Sequence, residues 1–302
     1  MAPTAPEVVC VGQSVIDCIS RGIDGDLAHD RIVRAEEVTL STGGDATNES
    51  FVLASLGHRV RLVCGVGQDL AGDTIIGEAE RRGVDTSWIT ASPDLTTPIA
   101  PLLLRTDADR TSVNAAAARL EGYVPPADAL EGARVVSLAS LFRAPLDTVE
   151  GVSALVRRAH EQGSLVCCDT KIPNYREIGF ADLAEVLPMI DYIFPNDREA
   201  LHFTGTSTPE DAADALRAMG VRNVVVKLGE KGVLVRGEQG SLAYPARTVE
   251  VVDTTGAGDN FVAGFISGLL RGLDLEGCCE SGTAQGAAAV GRMGACPPLA
   301  RS

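Results

Sequence analysis

The chain has 302 residues, of which 45% are apolar and 22% charged, proportions typical of a soluble globular protein with a substantial core. A formal net charge of −15 and only 4% aromatic residues argue against a nucleic-acid-binding protein, because phosphate backbones attract cationic patches and unpaired bases stack on aromatic rings. The apolar runs all fall short of the ~18 residues that indicate a membrane-spanning helix.

Cysteine usage points to a reducing compartment. None of the eight cysteines belongs to a Cys-x-x-Cys pair, and most of them lie in apolar runs. We therefore expect buried free thiols and, since no charged region precedes an apolar core at the N-terminus, a cytoplasmic protein.

Short apolar runs alternate with segments of helical periodicity along most of the chain. Strands are predicted at 8–11, 60–66, 134–138, 165–169, 192–194 and 223–228, followed by a hairpin of 232–237 and 241–244. Helices are predicted at 69–82, 146–162, 183–189 and 209–219, the last with Thr208 as its N-cap. This alternation predicts a mostly parallel sheet with helices on both faces, in which ligands bind at the carboxyl ends of the strands.

Two segments, 15–39 and 96–113, do not fit the alternation. Both are rich in strand formers and polar residues and lack a helical period. We expect them to form a small sheet that projects from the main domain and serves as a lid. Because the sequence contains neither a linker nor a repeat, residues 1–302 are predicted to form a single domain.

The most informative stretch is 253–260, with the sequence Asp-Thr-Thr-Gly-Ala-Gly-Asp-Asn. The run 249–252 is typical of a strand and 261–270 of a helix, so the stretch leads into a helix start. About four N–H groups lack helical partners there, the helix dipole is positive, and Gly256 and Gly258 let an anion approach the backbone. Asp259 is expected to stay ionised beside such a site and could accept a proton from an attacking alcohol. An ordinary glycine-rich turn is the alternative.

Further polar residues follow other predicted strand ends. Asp17, after the first strand, could accept hydrogen bonds from a polyol, although a surface loop aspartate is an equal alternative. Gly43 and Gly44 would let the backbone approach a ligand, and Asn48 offers a donor and an acceptor. Taken alone, this second motif is equally typical of a helix cap.

Two more motifs suggest a nucleotide site. Asn196 and Glu199 lie three residues apart, so one helical face could hold a hydrated Mg²⁺ near phosphates, with capping by Asn196 as the alternative. Lys227 and Gly229 lie at a strand end and could form a nucleotide-binding turn, for which a plain hairpin turn is the alternative.

Together and in this order, these features resemble the ribokinase-like carbohydrate kinase family, also called the phosphofructokinase-B family. The stretch 253–264 is similar to the C-terminal signature Asp-Thr-x-Gly-Ala-Gly-Asp-x-Phe-x-x-Gly, and Gly43-Gly44 with Asn48 is similar to the N-terminal one. The resemblance covers about residues 7–299. It implies a three-layer α/β/α fold with a mostly parallel central sheet, a small β-sheet lid, and ATP-dependent phosphorylation of an alcohol.

The resemblance also implies a role for each motif. Asp259 would be the base that deprotonates the accepting hydroxyl. The amides that bind the γ-phosphate would come from Gly256, Ala257 and Gly258. The residues that hold the substrate would be Asp17, Gly43, Gly44 and Asn48. Mg²⁺ and its water would be organised by Asn196 and Glu199, and the nucleotide site would include Lys227, Gly229 and Thr255.

Many members of this family use a monovalent cation held by loop carbonyls beside the anion-binding amides. Asp253 and Thr255, together with 289–294, lie at the matching positions, so the resemblance allows a K⁺ site. Pro298 stands where some members have a side-chain oxygen ligand, and this departure leaves activation by K⁺ open.

A second departure concerns the acceptor. Sugar-kinase relatives often have Asp-x-Asn-x-Arg where this chain has the longer run 169–176, which weakens a fructokinase-like interpretation. Lys171 and Arg176 in this run could meet an anionic group or be solvated at the surface. Specificity is expected from loop and lid side chains such as Arg105, Asn114 and Lys171.

The sequence therefore predicts an ATP-dependent sugar kinase of the ribokinase or fructokinase type, with Mg²⁺ as cofactor. A nucleoside kinase of the same family and a non-catalytic sugar- or nucleotide-binding regulator are the alternatives, and the intact candidate base argues against the regulator. The expected partners are the small-molecule acceptor and ATP, without nucleic acid or membrane. A homodimer could form through the lid.

Overall fold

The computed structural model describes residues 5–296 apart from 26–28, 30–31, 106–109, 114–119, 121 and 239. Its strands are β1 (Val8–Gly12), β2 (Val15–Ile23), β3 (Glu37–Gly43), β4 (Val60–Gly67), β5 (Ile89–Ser92), β6 (Ile99–Arg105), β7 (Arg110–Ser112), β8 (Val135–Leu141), β9 (Leu165–Thr170), β10 (Tyr192–Phe194), β11 (Asn223–Lys227), β12 (Val233–Gly237) and β13 (Gly240–Tyr244). Its α-helices are α1 (Asp45–Ser55), α2 (Leu70–Arg81), α3 (Val149–Glu161), α4 (Asp197–Thr204), α5 (Pro209–Ala218), α6 (Ala257–Leu270) and α7 (Leu275–Val290).

A large sheet forms the centre of the fold, with its strands in the order β13-β12-β11-β10-β9-β8-β1-β4-β5. The strands from β11 to β5 are parallel, whereas β12 and β13 form an antiparallel hairpin at one edge. Every residue of β1 and β8 is buried, as expected for strands covered on both faces. The predicted α/β fold class is confirmed.

The side chains of this sheet are divided between two hydrophobic cores. Along β1, Val9 and Val11 belong to a core that also contains residues of α3 and α5, whereas Val8 and Cys10 belong to a core with residues of α1 and α6. Successive side chains of a strand face opposite sides, so helices cover both faces and leave the strand ends open to ligands. None of the helices in the described ranges combines the length and apolar character needed to cross a bilayer.

The cysteines behave as core residues. All eight are free thiols, and six of them are buried. Burial raises the pKa of Cys64 to about 12, so this thiol stays protonated. The expectation of buried free thiols is confirmed for most of the set, while Cys18 and Cys296 are half-buried.

A separate, four-stranded sheet has the order β3-β2-β6-β7. Strand β2 pairs antiparallel with β3 and parallel with β6, and β7 is antiparallel to β6. Strands β2, β6 and β7 lie within the two segments that the sequence assigns to a small sheet, whereas β3 begins in 15–39 and continues four residues beyond it. Parts of 15–39 and 96–113, and Asn114, lie outside the described residues. The use of this sheet as a lid stays a prediction.

The predicted strand at 249–252 is wrong. These residues join no ladder, and Val249, Val251 and Val252 are exposed. Their β-branched side chains favour an extended chain, but a strand also needs a partner. The N–H groups of Val252 and Asp253 donate instead to the carbonyl oxygen of Val290 at the end of α7, at 2.7 and 3.2 Å.

The predicted helix at 183–189 is also wrong, because two 3₁₀ turns, Phe180–Leu183 and Leu187–Met189, occupy this part of the chain. Pro188 has no N–H group and its ring clashes with a preceding helical turn, so a continuous α-helix is disfavoured. The other predicted helices and strands are present with small shifts of their ends, and Thr208 caps α5 as expected. Strand β5 has no counterpart in the prediction.

Helices α6 and α7 pack with their backbones in close contact. A Cβ atom on Gly264 of α6 would lie 2.5 Å from the carbonyl oxygen of Ser281. A Cβ atom on Gly268 would lie 2.9 Å from the Cα atom of Cys278. Because glycines occupy these positions, α6 can approach α7 closely. This packing fixes the position of α6, whose first turn carries Asp259.

We predict that Gly264→Ala lowers the free energy of unfolding by about 1–3 kcal/mol, because the added methyl group overpacks the contact with α7. Gly77→Ala in α2 is the matched control, since no atom of the described residues lies within 4 Å of a Cβ placed there. Alanine should stabilise that helix by about 0.5–1 kcal/mol. Urea denaturation measures both variants, and equal effects at the two positions would contradict the close packing.

Candidate active site

Most of the predicted site residues lie at one edge of the large sheet. Asp169 is near the end of β9, Asn196 follows β10, and Lys227 ends β11. Parallel strands direct their carboxyl ends to the same edge, which is where ligands bind in such sheets. The start of α6 faces the same group of residues, as the contacts below show.

Helix α6 begins at a glycine that cannot be replaced without strain. Gly256, its N-cap, has φ +72°, and a Cβ atom there would lie 2.4 Å from the Cβ atom of Ala295. No described side chain caps this end of the helix. Its N–H groups and positive dipole end are therefore offered to an anion, although the amide of Ala257 also donates to the Thr254 carbonyl at 3.3 Å.

Lys227 adds a positive charge beside this helix start. A Cβ atom on Gly258 would lie 3.3 Å from Lys227 Nζ, so the ammonium group faces bare backbone of the first turn. The same Nζ forms an ion pair with Asp169 Oδ1 at 2.6 Å. Gly229 begins a 3₁₀ turn two residues further on with φ +59°, a conformation that favours glycine.

Asp259 is buried in the first turn of α6 and accepts a hydrogen bond of 2.6 Å from Asn48 Nδ2. Burial raises the pKa of Asp259 to about 7, with a further contribution from the carboxylate of Asp45. Lys171 and the hydrogen bond from Asn48 oppose this shift. The expectation that Asp259 simply stays ionised is therefore corrected: the loss of hydration outweighs the positive end of the helix, and the group titrates near neutral pH.

Three carboxylates share this part of the site. Oxygen atoms of Asp45, Asp169 and Asp259 all lie within 4.8 Å of one another. Carboxylates at such distances require cations, and the structure supplies two ammonium groups, Lys227 on Asp169 and Lys171 on Asp45 at 3.0 Å. The sequence singles out Asp259 in this cluster but neither Asp45 nor Asp169 as a site residue.

Asp45 is the first residue of α1 and lies between the two predicted motif residues Gly44 and Asn48. Ser140 Oγ donates a short hydrogen bond to Asp45 Oδ2. Ser140 and Phe142 have φ +71° and +76°, an uncommon conformation for side chains of this kind and one that often marks functional sites. Burial works to raise the pKa of Asp45, but Lys171 and Ser140 hold it below its ordinary value.

Asn196 and Glu199 form a capping box at the start of α4. Glu199 N donates to Asn196 Oδ1 at 2.8 Å, and Asn196 N donates to Glu199 Oε2 at 3.0 Å. Thr170 Oγ1 donates to the same carboxylate at 3.0 Å. Burial and the neighbouring Asp169 raise the pKa of Glu199. The capping alternative thus describes the geometry, and a role toward Mg²⁺ stays a prediction.

Asp17 lies against the first predicted glycine. It is buried on β2, and a Cβ atom on Gly43 would lie 2.2 Å from its Oδ2 atom. Gly44 has φ +90° and would place a Cβ atom 2.5 Å from the carbonyl oxygen of Gln13. Asp17, Gly43 and Gly44 therefore lie close together. Asn48, the fourth residue of the predicted substrate site, donates a hydrogen bond to Asp259.

The residues of the predicted cation loop lie close together, while a K⁺ site there stays a prediction. Asp253 Oδ1 accepts hydrogen bonds from Thr255 N at 2.9 Å and Thr255 Oγ1 at 2.7 Å, and its Oδ2 accepts one from Gly294 N at 3.0 Å. Asn260 Nδ2 donates to the Ala295 carbonyl at 2.8 Å. The loop 289–294 therefore packs beside Asp253, while Pro298 lies outside the described residues.

The basic residues considered for specificity have different surroundings. Lys171 pairs with Asp45, so it is not simply solvated at the surface. Arg176 is largely exposed and pairs with Asp147 at 3.3 Å. Arg105 donates to the carbonyl oxygen of Gly25 at 3.2 Å in the small sheet region.

Comparison with known proteins identifies the family of the chain. The family model described as pfkB family carbohydrate kinase matches residues 5–301. The chain is 32% identical to a cytidine kinase of Thermococcus kodakarensis over 80% of this chain and 84% of that protein. It is 27% identical to a ribokinase of Haemophilus influenzae over 85% and 83% of the two chains.

A solved structure leads to the same family. The aminoimidazole riboside kinase from Salmonella enterica, complexed with aminoimidazole riboside and an ATP analog, superposes with a TM-score of 0.78 at 26% identity. The match covers 95% of this chain and 94% of that one. The chain therefore belongs to the pfkB family of carbohydrate kinases, phosphotransferases that take an alcohol group as acceptor.

Proposed function

We propose that the protein transfers the γ-phosphoryl group of ATP to a hydroxyl of a sugar, with Asp259 as the general base. The observation that carries the proposal is the pair formed by Asp259 and Asn48 at the uncapped start of α6. A carboxylate that titrates near pH 7 suits a base at neutral pH, and an oriented hydrogen bond fixes the direction of its free oxygen. The reaction would take place in the cytoplasm, where the free thiols stay reduced.

The remaining residues would balance the charge of the transferring group. Amides of Gly256, Ala257 and Gly258, together with the Lys227 ammonium group, would face the γ-phosphoryl oxygens. Asp17 beside Gly43 and Gly44 would accept hydrogen bonds from the acceptor's hydroxyls. Closure of the small sheet as a lid over a single domain would exclude water and limit hydrolysis of ATP.

Mg²⁺ would be held near the phosphates by Glu199, with Asn196 fixing the orientation of that carboxylate. The donor set fits, because hydrated Mg²⁺ prefers carboxylate oxygens and a cation would favour the ionised form of a group whose pKa burial raises. When bound with ATP, Mg²⁺ supplies positive charge to the phosphate oxygens. Asp253, Thr255 and the loop 289–294 would hold K⁺ beside the amides, and Gly229 would line the nucleotide site.

A nucleoside acceptor is the second candidate, favoured by one observation. The relative with 32% identity is a cytidine kinase, and the superposed aminoimidazole riboside kinase likewise acts on a riboside. A ribose hydroxyl presents the same chemistry to Asp259 whether or not the sugar carries a base. An assay of the function must therefore offer both sugars and nucleosides as acceptors.

The proposed function is tested by coupled ADP release over pentoses, hexoses, sugar acids, inositols and nucleosides, with KCl or NaCl as the salt. We expect turnover with at least one sugar or nucleoside, and a higher rate in KCl if the cation loop is occupied by K⁺. Silence across the whole panel in both salts would sink the kinase proposal and favour a non-catalytic binding protein.

Asp259→Asn should lower kcat by about 10²–10⁴-fold, because an amide cannot accept the hydroxyl proton. The affinity for ATP should stay within about twofold of the wild type, since the substitution is nearly isosteric. Asp214→Asn is the control: this aspartate is exposed and pairs with Arg236 away from the site. Steady-state kinetics and calorimetric ATP binding measure the two effects, and retained turnover would remove Asp259 from the role of base.

We further propose a homodimer formed through β3, which is an edge strand among the described strands of the small sheet. Val38 and Leu40 on this strand are 63% and 72% exposed. Monomeric proteins usually protect such edge strands from pairing with another chain. Light scattering should give twice the mass of one chain, and Leu40→Lys should give the single mass. Leu273→Lys, at another exposed leucine, should leave the dimer intact. A monomeric wild type at micromolar concentration would contradict this proposal.

A further inference from the structure

Lys171 is held at a defined position by its backbone hydrogen bond and by an ion pair of its side chain. Its backbone N–H donates to the Leu141 carbonyl at 3.0 Å, at the end of β8. The carbonyl of the next residue, Ile172, accepts a hydrogen bond of 2.6 Å from Arg143 Nε. The Lys171 ammonium group pairs with Asp45 Oδ2 at 3.0 Å, and its side chain is 35% exposed. The positive charge is therefore fixed by both its backbone and its partner.

The position of this charge matters because three carboxylates lie within 4.8 Å of one another. Lys227 neutralises Asp169, and Asn48 offers Asp259 a hydrogen bond without charge. Without Lys171, Asp45 would lose its ion pair and be a negative charge close to Asp259 that keeps only the hydrogen bond from Ser140 and more distant cations. Two like charges at such a distance resist ionisation of the second group.

We propose that Lys171 is a positioning residue of the phosphoryl transfer: its ammonium group neutralises Asp45, so that Asp259 is left as the carboxylate that takes the proton of the acceptor hydroxyl. The inference rests on the proposed function, in which Asp259 is the base. Lys171 acts on Asp259 by pairing with Asp45 and by its own charge, and it needs no contact with the substrate. The pKa of Asp259 agrees with this role, since burial and Asp45 raise it and Lys171 lowers it.

Other titratable and charged side chains lie around Asp259 and its partners. Those that act on Asp259 itself are Asp45, Glu49, Asp169, Lys171 and Cys296. Lys227 lies beside the adjacent Gly258 and acts on Asp45, as Arg143 does, and Glu199 acts on Lys171. Burial raises the pKa of Glu49 well above its ordinary value and that of Cys296 to about 12, which favours their neutral forms. Lys171 is thus the ion-pair partner of Asp45, and its removal leaves Asp45 with the hydrogen bond from Ser140 and the more distant charges of Lys227 and Arg143.

The pH dependence of kcat/KM separates this role from a structural one. In the wild type, the acid limb should have its midpoint near the pKa of Asp259, about 7, because protonated Asp259 cannot accept a proton. Lys171→Met should move the midpoint up by about one unit, since an unpaired Asp45 favours protonated Asp259. Lys171→Arg keeps the positive charge and should leave the midpoint close to that of the wild type.

Asp45 provides the other half of a double-mutant cycle. Asp45→Asn should lower the midpoint, and the double variant Lys171→Met/Asp45→Asn should return it toward the wild-type value because both charges are gone. The matched control is Arg222→Met, which breaks the 2.9 Å ion pair with Asp191 before strands β10 and β11, at the opposite edge of the sheet. This variant should leave the midpoint unchanged.

Two results would overturn the proposal. One is an unmoved midpoint in Lys171→Met or, should that variant fail to fold, in Asp45→Asn. The other is a loss of thermal stability in Lys171→Met that is the same at every pH and leaves the rate profile unchanged, which would assign the ion pair a structural role alone.

A stability measurement tests the same charges without turnover, so it distinguishes failure of this inference from failure of the proposed kinase activity. The pKa of Asp259 is raised in the folded state, so the folded protein retains a proton that the unfolded chain releases between about pH 4 and pH 7. Stability is therefore lost as the pH rises through this window. Asp259→Asn should raise Tm at pH 8 but not at pH 4.

The gain in Tm from Asp259→Asn at pH 8 should be larger in the Lys171→Met background than in the wild type. In that background the ionised form of Asp259 lies beside an Asp45 without its ion pair and is less stable. Differential scanning fluorimetry of the four chains gives the comparison. Equal gains in the two backgrounds would overturn the proposal even if no acceptor is ever identified.

Discussion

Burial of negative charge at the carboxyl ends of the strands is the constraint on which the site depends. Asp45, Asp169 and Asp259 occupy a space less than 5 Å across, where water is scarce and like charges repel one another strongly. Two lysines form ion pairs with two of the carboxylates, whereas Asp259 accepts a neutral hydrogen bond from Asn48 and is influenced by Lys171 without an ion pair. The unequal distribution of cations gives chemically identical side chains different acidities, so that one of them exchanges its proton near neutral pH.

The topology explains how residues far apart in the chain reach this space. Parallel strands deliver the residues after β8, β9, β10 and β11 to one edge, and the tight packing of α6 against α7 brings a helix start to the same edge. The start of α6, the three carboxylates and Lys227 therefore belong to helices and strands, and Lys171 directly follows β9. Asp17 lies on β2 of the small sheet, whereas the other site residues belong to the large sheet and its helices. The proposed acceptor site would therefore lie between the two sheets.

The sequence predicts local features well and long-range electrostatics poorly. The helix start at Gly256 follows from glycines and an acidic first turn, and the alternation of strands and helices gives the sheet. The pairing of Lys171 with Asp45 joins residues more than a hundred positions apart, so no local pattern reveals it. The titration of Asp259 near pH 7 depends on burial that only the fold determines. The strand prediction for 249–252 is wrong for a related reason. β-branched side chains favour an extended chain, but they do not provide a neighbouring strand to pair with.

The contact between Asp17 and Gly43 restricts which residues the proposed acceptor site can hold. Any side chain at position 43 would occupy the space of the carboxylate, which would have to turn away or be shortened. A side chain can therefore enter position 43 only if position 17 changes as well, although the two residues lie on different strands. Directed evolution that randomises position 43 alone should mostly recover glycine, whereas a library that also randomises position 17 admits other residues there.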